Sequence, residues 1–173
     1  MCNLYSLTTT RAQIGSLFRV SDNRMETVPE QLTLFPGHTA AVVRLAADGE
    51  RELVNMSWGF VLLQQGKAPR RVTNTRDDKM DSPFWKQSIE QRRCLVPVTS
   101  FAEPDTAKPV NWHWLAIKGN EPRPLFAFAG IWRKWRGPIK KDGPTVEIET
   151  YSFMTSLPNE FTSRINHERL PVL

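Results

Sequence analysis

The chain has 173 residues, and a length of this order predicts a single domain over residues 1–173. Its 40% apolar and 24% charged residues are typical of a soluble globular protein, and no run approaches the ~20 apolar residues that span a bilayer. A net charge of +5 with six tryptophans fits a nucleic-acid-binding surface. It fits equally well a mildly basic protein with a tryptophan-rich core.

The cysteine and histidine content excludes several kinds of site. Cys2 and Cys94 are the two cysteines, so neither a disulfide framework nor a cysteine-rich zinc site is indicated. The three histidines lie far apart in the sequence, and we expect no bound metal and no other cofactor. The first 20 residues lack the continuous apolar stretch of a secretory signal. We therefore expect a cytoplasmic protein, in whose reducing environment a free thiol persists.

Local signals in the first half of the chain predict one short helix and one hairpin. Thr10 and Gln13 form the pattern of a capping box, followed by an amphipathic helix with three apolar residues on one side, Ile14, Leu17 and Phe18. Asp48-Gly49 is a strong hairpin signal, and the paired strands are expected over 40–45 and 51–56.

The second half of the chain predicts further strands. Ser82-Pro83 indicates the start of a helix that turns Phe84, Trp85 and Ile89 inward. Strands are expected over 94–98, 114–118, 125–129 and 147–155, a surface loop over 136–144, and one more short helix near Pro158 and Phe161. Because strands are numerous and helices short, we predict an α+β fold with a strand-rich core, a distorted, barrel-like mixed sheet flanked by short helices.

The position of Cys2 in the chain gives it unusual chemical reactivity. Its small side chain permits removal of the initiator methionine, after which Cys2 carries both an α-amine and a thiol. An α-amine has a pKa of ~7.7–8.0 against ~10.4 for lysine, so more of it is neutral at pH 7. A neutral amine attacks an aldehyde to form a Schiff base, and the thiol can then close a five-membered thiazolidine. Taken alone, Cys2 is equally well an incidental residue of a frayed terminus.

Three further segments contain recurrent motifs. They are Trp58-Gly59 with Asn74-Thr75-Arg76, then Arg92-Arg93-Cys94-Leu95-Val96-Pro97 leading to Phe101-Ala102-Glu103, and finally Asn166-His167-Glu168-Arg169-Leu170-Pro171. Together with Met1-Cys2, their order and spacing closely resemble the SOS response-associated peptidase (SRAP) family over nearly the whole chain. Each motif is weak alone, but the set in this order is specific.

The resemblance implies a function and a catalytic site. Cys2 would be the nucleophile that links covalently to the ring-opened sugar of an abasic site in single-stranded DNA, after the chain has removed its own Met1. A lyase activity would accompany this crosslinking. Asn74 would orient the Cys2 amine, while Glu103 and His167 would move the protons that sugar opening and imine formation require. The implied partner is DNA, with no metal and no membrane.

The DNA-binding surface is predicted from basic and aromatic residues. The resemblance makes Arg76 a contact to a phosphate beside the lesion. Arg71 belongs to the basic stretch that leads into Asn74, and Arg169 lies in the last motif, so both are expected to bind DNA. Trp58 is a candidate for stacking on an unpaired base, although at least half of the tryptophans are expected in the core.

Each candidate has a simpler structural alternative. Glu103 can be a turn carboxylate before Pro104, Asn74 a turn residue, and His167 a structural imidazole; Cys94 is expected to be a buried core residue. The sequence also departs from the family pattern M-C-G-R, because Asn3 and Leu4 follow Cys2. This change removes an arginine that would contact phosphate or sugar.

Two other functional classes remain open at this stage. An N-terminal-nucleophile amidohydrolase also begins with a cysteine, but its fold needs a longer chain and a Gly-His-x-Arg segment that the sequence does not contain. A non-catalytic, basic, β-rich nucleic-acid-binding module would explain the charge and the tryptophans. It gives no reason for the combination of Cys2, Glu103 and His167.

Overall fold

The computed structural model of the chain describes residues 2–27, 32–105, 108–163 and 169–173. Strands dominate this part of the chain: β1 (Tyr5–Ser6), β2 (Thr33–Leu34), β3 (Thr39–Leu45), β4 (Arg51–Trp58), β5 (Phe60–Leu62), β6 (Arg70–Val72), β7 (Asn74–Arg76), β8 (Arg93–Val98), β9 (Ser100–Pro104), β10 (Trp112–Leu115), β11 (Phe126–Gly137), β12 (Val146–Ser156) and β13 (Leu170–Pro171). The α-helices are short: α1 (Arg11–Phe18), α2 (Lys86–Gln91) and α3 (Glu160–Ser163).

Five strands form a closed, barrel-like mixed sheet. Around the ring, β11 pairs with β8, β8 with β3, β3 with β4, β4 with β12, and β12 again with β11. The β4–β12 pairing is parallel and the other four are antiparallel. Closure satisfies the hydrogen-bonding groups that a sheet edge would expose. The predicted α+β fold with a barrel-like mixed sheet and short helices is confirmed.

A smaller antiparallel sheet places the start of the chain beside β9. Its strand order is β10-β9-β1-β2, with Tyr5 opposite Phe101. The pairing continues toward the N-terminus, since the Ala102 N–H donates to the Leu4 carbonyl over 2.9 Å. Because Cys2 precedes Leu4 and Glu103 follows Ala102, this register brings the two residues to the same region of the fold.

An aromatic cluster fills the core beneath the N-terminal segment. Tyr5, Trp58, Phe128, Tyr151 and Phe153 are all fully buried, and the Tyr5 and Trp58 ring centroids lie 5.1 Å apart. The Tyr5 and Tyr151 hydroxyl groups share a hydrogen bond of 2.6 Å, which satisfies both polar ends inside the core. Each buried aromatic ring contributes roughly 1.5–3 kcal/mol through removal of apolar surface from water.

The local signals of the first half are confirmed. The hairpin between β3 and β4 turns at Asp48-Gly49, where Gly49 has a φ of +84° that favours glycine. Gln13 N–H donates to Thr10 Oγ1 (3.2 Å) and Gln13 Oε1 accepts from Thr10 N–H (2.9 Å), which completes the capping box at α1. Of the three apolar residues predicted to face the core, Leu17 remains exposed while the other two are buried.

Other boundaries shift from their predicted positions. Helix α2 begins at Lys86 because Ser82 opens a separate turn, in which the Trp85 and Lys86 N–H groups both donate to the Ser82 carbonyl. Trp85 is buried as predicted. Strand β11 continues eight residues beyond the predicted end at residue 129, since β12 offers it a long antiparallel partner. Such pairing is a long-range effect that local patterns do not contain.

Candidate functional site

Cys2 is completely buried and is held by contacts on two sides. Its carbonyl oxygen accepts a hydrogen bond of 2.9 Å from Asn74 Nδ2. Its thiol lies 3.5 Å from the Leu4 carbonyl oxygen and within hydrogen-bonding reach of the Glu103 carboxyl group. Cys2 is therefore packed into the fold, unlike the frayed residue of the simpler alternative.

Asn74 is positioned by the barrel. It begins β7, which pairs in parallel with β12, and its Cα lies opposite Phe153. Its Nδ2 donates to the Cys2 carbonyl and also to Thr73 Oγ1, at 2.8 Å. Its Oδ1 is buried and has no hydrogen-bond partner among the described residues. The carboxamide thus lies against the Cys2 backbone, where an amide can orient the Cys2 amine.

Glu103 is fully buried on β9 next to the Cys2 thiol. Burial raises the pKa of its carboxyl group from 4.5 to about 7, and it outweighs the opposing effects of neighbouring groups, which include a hydrogen bond from the Cys2 thiol. Burial also raises the pKa of the Cys2 thiol, and the nearby Glu103 charge raises it further. At neutral pH the thiol is therefore protonated, while Glu103 is close to its point of half-protonation.

The structure brings together three of the four predicted catalytic residues, Cys2, Asn74 and Glu103. The fourth, His167, lies outside the described residues. Cys94 is buried in the core as predicted. Among the described residues, no group of three or more histidine, cysteine or acidic side chains is arranged to hold a metal ion.

A basic groove begins at Asn74. It has a volume of about 260 Å³, and four cationic side chains line it: Arg70, Arg71, Arg76 and Lys79. Arg76 is exposed and its Nη2 lies 2.5 Å from Asp78 Oδ2. Arg71 is half-buried and its Nη1 donates to the Gly59 carbonyl over 2.9 Å, while burial lowers the pKa of its guanidinium. The groove can attract a phosphate backbone to the neighbourhood of Cys2.

Two residues predicted to contact DNA, Trp58 and Arg169, are buried in the structure. Trp58 is fully buried and its Nε1 donates to the Thr73 carbonyl over 3.2 Å, so its ring has no face open to a base. Arg169 is also buried; its Nη2 donates to the Asp77 carboxylate and, over 2.7 Å, to the Thr155 carbonyl. Both residues stabilise the scaffold that carries the site.

Sequence reasoning missed Lys79, Thr73 and the contact made by Asn3. Lys79 lies in the single helical turn Asp77–Lys79 after β7, and its contribution to the groove depends on the fold. Thr73 Oγ1 donates to Asn3 Oδ1 over 3.2 Å and accepts from Asn74. The signal in the sequence that could have identified Thr73 is its position directly before the motif residue Asn74.

No helix in the described part of the chain has the length and apolar content needed to cross a membrane.

Comparison with known proteins gives a consistent set of similarities. The family described as SOS response associated peptidase (SRAP) matches residues 1–173. Abasic site processing protein YoqW of Bacillus subtilis (strain 168) is 28% identical over 136 residues, covering 76% of this chain and 58% of that protein.

A second Bacillus subtilis relative, abasic site processing protein YoaM, is 27% identical over 143 residues, or 76% of this chain and 57% of the relative. The chain therefore spans less than two thirds of the length of these curated relatives. Among solved structures, a Bordetella bronchiseptica protein superposes with a TM-score of 0.71 at 18% identity, covering 98% of this chain and 82% of the other. A Bacteroides thetaiotaomicron protein gives 0.68 at 20% identity, with 98% and 75% coverage. These likenesses show a shared fold.

Proposed function

This chain belongs to the SOS response-associated peptidase (SRAP) family, and we propose that it processes abasic sites in single-stranded DNA by a covalent crosslink through Cys2. The observation that carries this proposal is the grouping of Cys2 with Asn74 and Glu103 at the start of a basic groove. The names of the Bacillus subtilis relatives, abasic site processing proteins, support the same substrate.

The proposed reaction is a condensation of the Cys2 aminothiol with the aldehyde of the ring-opened sugar. The amine lone pair attacks the aldehyde carbon, and the carbonyl oxygen takes a proton to give a carbinolamine. Loss of that oxygen as water leaves an imine, whose nitrogen is protonated. The thiol sulfur then bonds to the imine carbon while its proton is removed, and the ring closes as a thiazolidine. The overall change is release of one water molecule.

Glu103 supplies the proton transfers in this sequence. With a pKa of about 7 it donates a proton when water leaves and accepts one when the thiol attacks. Because the pKa of the thiol is raised by burial and by Glu103, the amine is the first nucleophile and the sulfur follows. His167 stays a proposed partner in these transfers.

Asn74 and the groove supply binding and orientation. Asn74 holds the Cys2 carbonyl and fixes the direction from which the amine meets the sugar. Arg76 and Arg71 contact phosphates beside the lesion, in a groove that Arg70 and Lys79 extend. The chemistry requires a free α-amine, so Met1 must first be removed, and we include self-removal of Met1 and an associated lyase activity in the proposed function.

A crosslinking experiment tests the proposal. Protein whose Met1 removal is verified by intact mass is mixed with single-stranded DNA carrying one abasic site, and a denaturing gel reports the adduct. We expect an adduct with the wild-type protein and none with Cys2→Ala. Cys94→Ala is the matched control, because it removes the other thiol without touching the site, and it should retain the adduct.

Two further arms identify the chemistry. A tetrahydrofuran analogue has no aldehyde and should give only reversible, salt-sensitive binding. Cys2→Ser keeps the amine, so it should form an imine that borohydride traps but no stable thiazolidine. Absence of an adduct with correctly processed wild-type protein would overturn the proposed function and leave a binding module as the better description.

A further inference from the structure

Thr73 connects three residues at the start of the chain and of β7. Asn74 Nδ2 donates one hydrogen to the Cys2 carbonyl (2.9 Å) and the other to Thr73 Oγ1 (2.8 Å). The Thr73 hydroxyl in turn donates to Asn3 Oδ1 at 3.2 Å. A backbone carbonyl only accepts hydrogen bonds, so the amide nitrogen rather than the oxygen must face Cys2 O. Both amide hydrogens of Asn74 are thereby used.

The neighbouring Trp58-Gly59 pair holds Thr73 in place. Trp58 Nε1 donates to the Thr73 carbonyl over 3.2 Å, which anchors its backbone to the buried indole. The Thr73 methyl group lies on the side of Gly59 that a Cβ would occupy, 3.4 Å from that position. The φ of +99° at Gly59 also favours glycine there. Since threonine is stiff about χ1, a rotamer with the methyl on the Gly59 side directs the hydroxyl toward Asn3 and Asn74.

The orientation of Asn74 determines what its oxygen can do. Oδ1 is buried and without a hydrogen-bond partner among the described residues, and buried acceptors are rarely left in that state. It belongs to the same planar amide group whose nitrogen contacts the Cys2 carbonyl, so it also lies beside Cys2. A freed Cys2 α-amine offers N–H donors at this position.

We propose that Thr73 is a positioning residue for the crosslinking reaction. Its hydroxyl locks the Asn74 amide so that Oδ1 accepts a hydrogen from the Cys2 amine, which aims the amine lone pair at the sugar aldehyde. This inference rests on the proposed function. Thr73 lines the basic groove beside Asn74 but carries no charge, so we expect it to contribute to the rate of bond formation rather than to DNA affinity.

Thr73→Val and Thr73→Ser form a matched pair for the test. Valine retains the methyl on the Gly59 side but loses the hydroxyl, whereas serine retains the hydroxyl. All proteins carry a tag whose proteolytic removal leaves Cys2 as the first residue, which separates the result from Met1 processing. Single-turnover crosslinking at several protein concentrations gives the maximal rate and the half-saturating concentration, and binding to tetrahydrofuran-containing DNA gives the affinity.

We expect Thr73→Val to lower the maximal rate about five- to tenfold, the effect of roughly one hydrogen bond. Its half-saturating concentration and its affinity for tetrahydrofuran-containing DNA should stay within about twofold of wild type. Thr73→Ser should keep a rate within about twofold of wild type. Asn3→Ala provides a second variant at an exposed position, where a substitution does not disturb the packing of the core. It should lower the maximal crosslinking rate about two- to threefold.

An unchanged rate in Thr73→Val would overturn the inference, as would equal losses in the valine and serine variants. A loss confined to DNA affinity would also overturn it, because it would place Thr73 among the DNA contacts. If wild type forms the adduct, these outcomes concern Thr73 alone. If wild type forms no adduct, the proposed function and the role of Thr73 both fail.

Discussion

Replacing Glu103 with glutamine should remove a loss of stability that the wild-type protein shows as the pH rises, while it disables crosslinking. Glu103 is fully buried, and burial raises the pKa of its carboxyl group from 4.5 to about 7. Between these values the folded protein retains a proton that the unfolded chain has lost. The free energy of unfolding therefore falls as the pH rises from about 4.5 to about 7, and the full loss persists above that range.

The pKa shift sets the magnitude. The rise of the Glu103 pKa from 4.5 to about 7 corresponds to about 3 to 4 kcal/mol, because each tenfold change in an acid dissociation constant is about 1.4 kcal/mol. Part of this stability is already lost at pH 5, so the free energy of unfolding is expected to fall by a further amount of about 2 to 3 kcal/mol between pH 5 and pH 8. Glutamine has nearly the same shape and does not ionise, so the variant lacks this pH dependence. It also cannot exchange protons, and crosslinking should fall by roughly 100-fold or more.

Urea unfolding of wild type and Glu103→Gln at pH 5 and pH 8 measures the effect, with both proteins in the same Met1 state by intact mass. From pH 5 to pH 8, the free energy of unfolding of the variant should rise by about 2 to 3 kcal/mol relative to that of wild type. Glu50→Gln, at an exposed position of the β3–β4 hairpin, is the control and should show no comparable gain. The same stability difference at both pH values would refute the argument that burial keeps Glu103 protonated near neutrality.

Three other substitutions test the roles assigned by the structure. Arg169→Met should destabilise the protein by about 2–4 kcal/mol, because Asp77 and Thr155 lose a buried charged donor. Urea unfolding measures this change, and a loss below about 1 kcal/mol would contradict the structural role of Arg169. Arg76→Ala should reduce the salt dependence of binding to single-stranded DNA by about 0.7 in log–log slope, and an unchanged slope would remove Arg76 from the phosphate contacts. Trp58→Phe should lower the free energy of unfolding by about 1–3 kcal/mol, because the Thr73 carbonyl loses its hydrogen-bond donor. The salt dependence of DNA binding should stay unaltered in this variant, and a changed slope would indicate a DNA contact.

Short-range signals predicted the elements whose cause is local. The capping box at Thr10 and Gln13 and the turn at Asp48-Gly49 depend on hydrogen bonds and backbone angles within a few residues, and both appear as expected. The length of β11 and the parallel pairing of β12 with β4 and β7 were not predicted. They depend on partners many residues away, which local propensity does not represent.

The sequence by itself determined which groups are available for chemistry: the position of Cys2 behind the initiator methionine, and the motif residues Asn74 and Glu103. Only the tertiary structure decided how they work together. It buried Glu103 beside the thiol and thereby raised the pKa of its carboxyl group, and it buried Trp58 and Arg169 in the scaffold. The physical reason is that burial and long-range hydrogen bonds belong to the packed fold, and the same side chain serves chemistry or support according to what surrounds it.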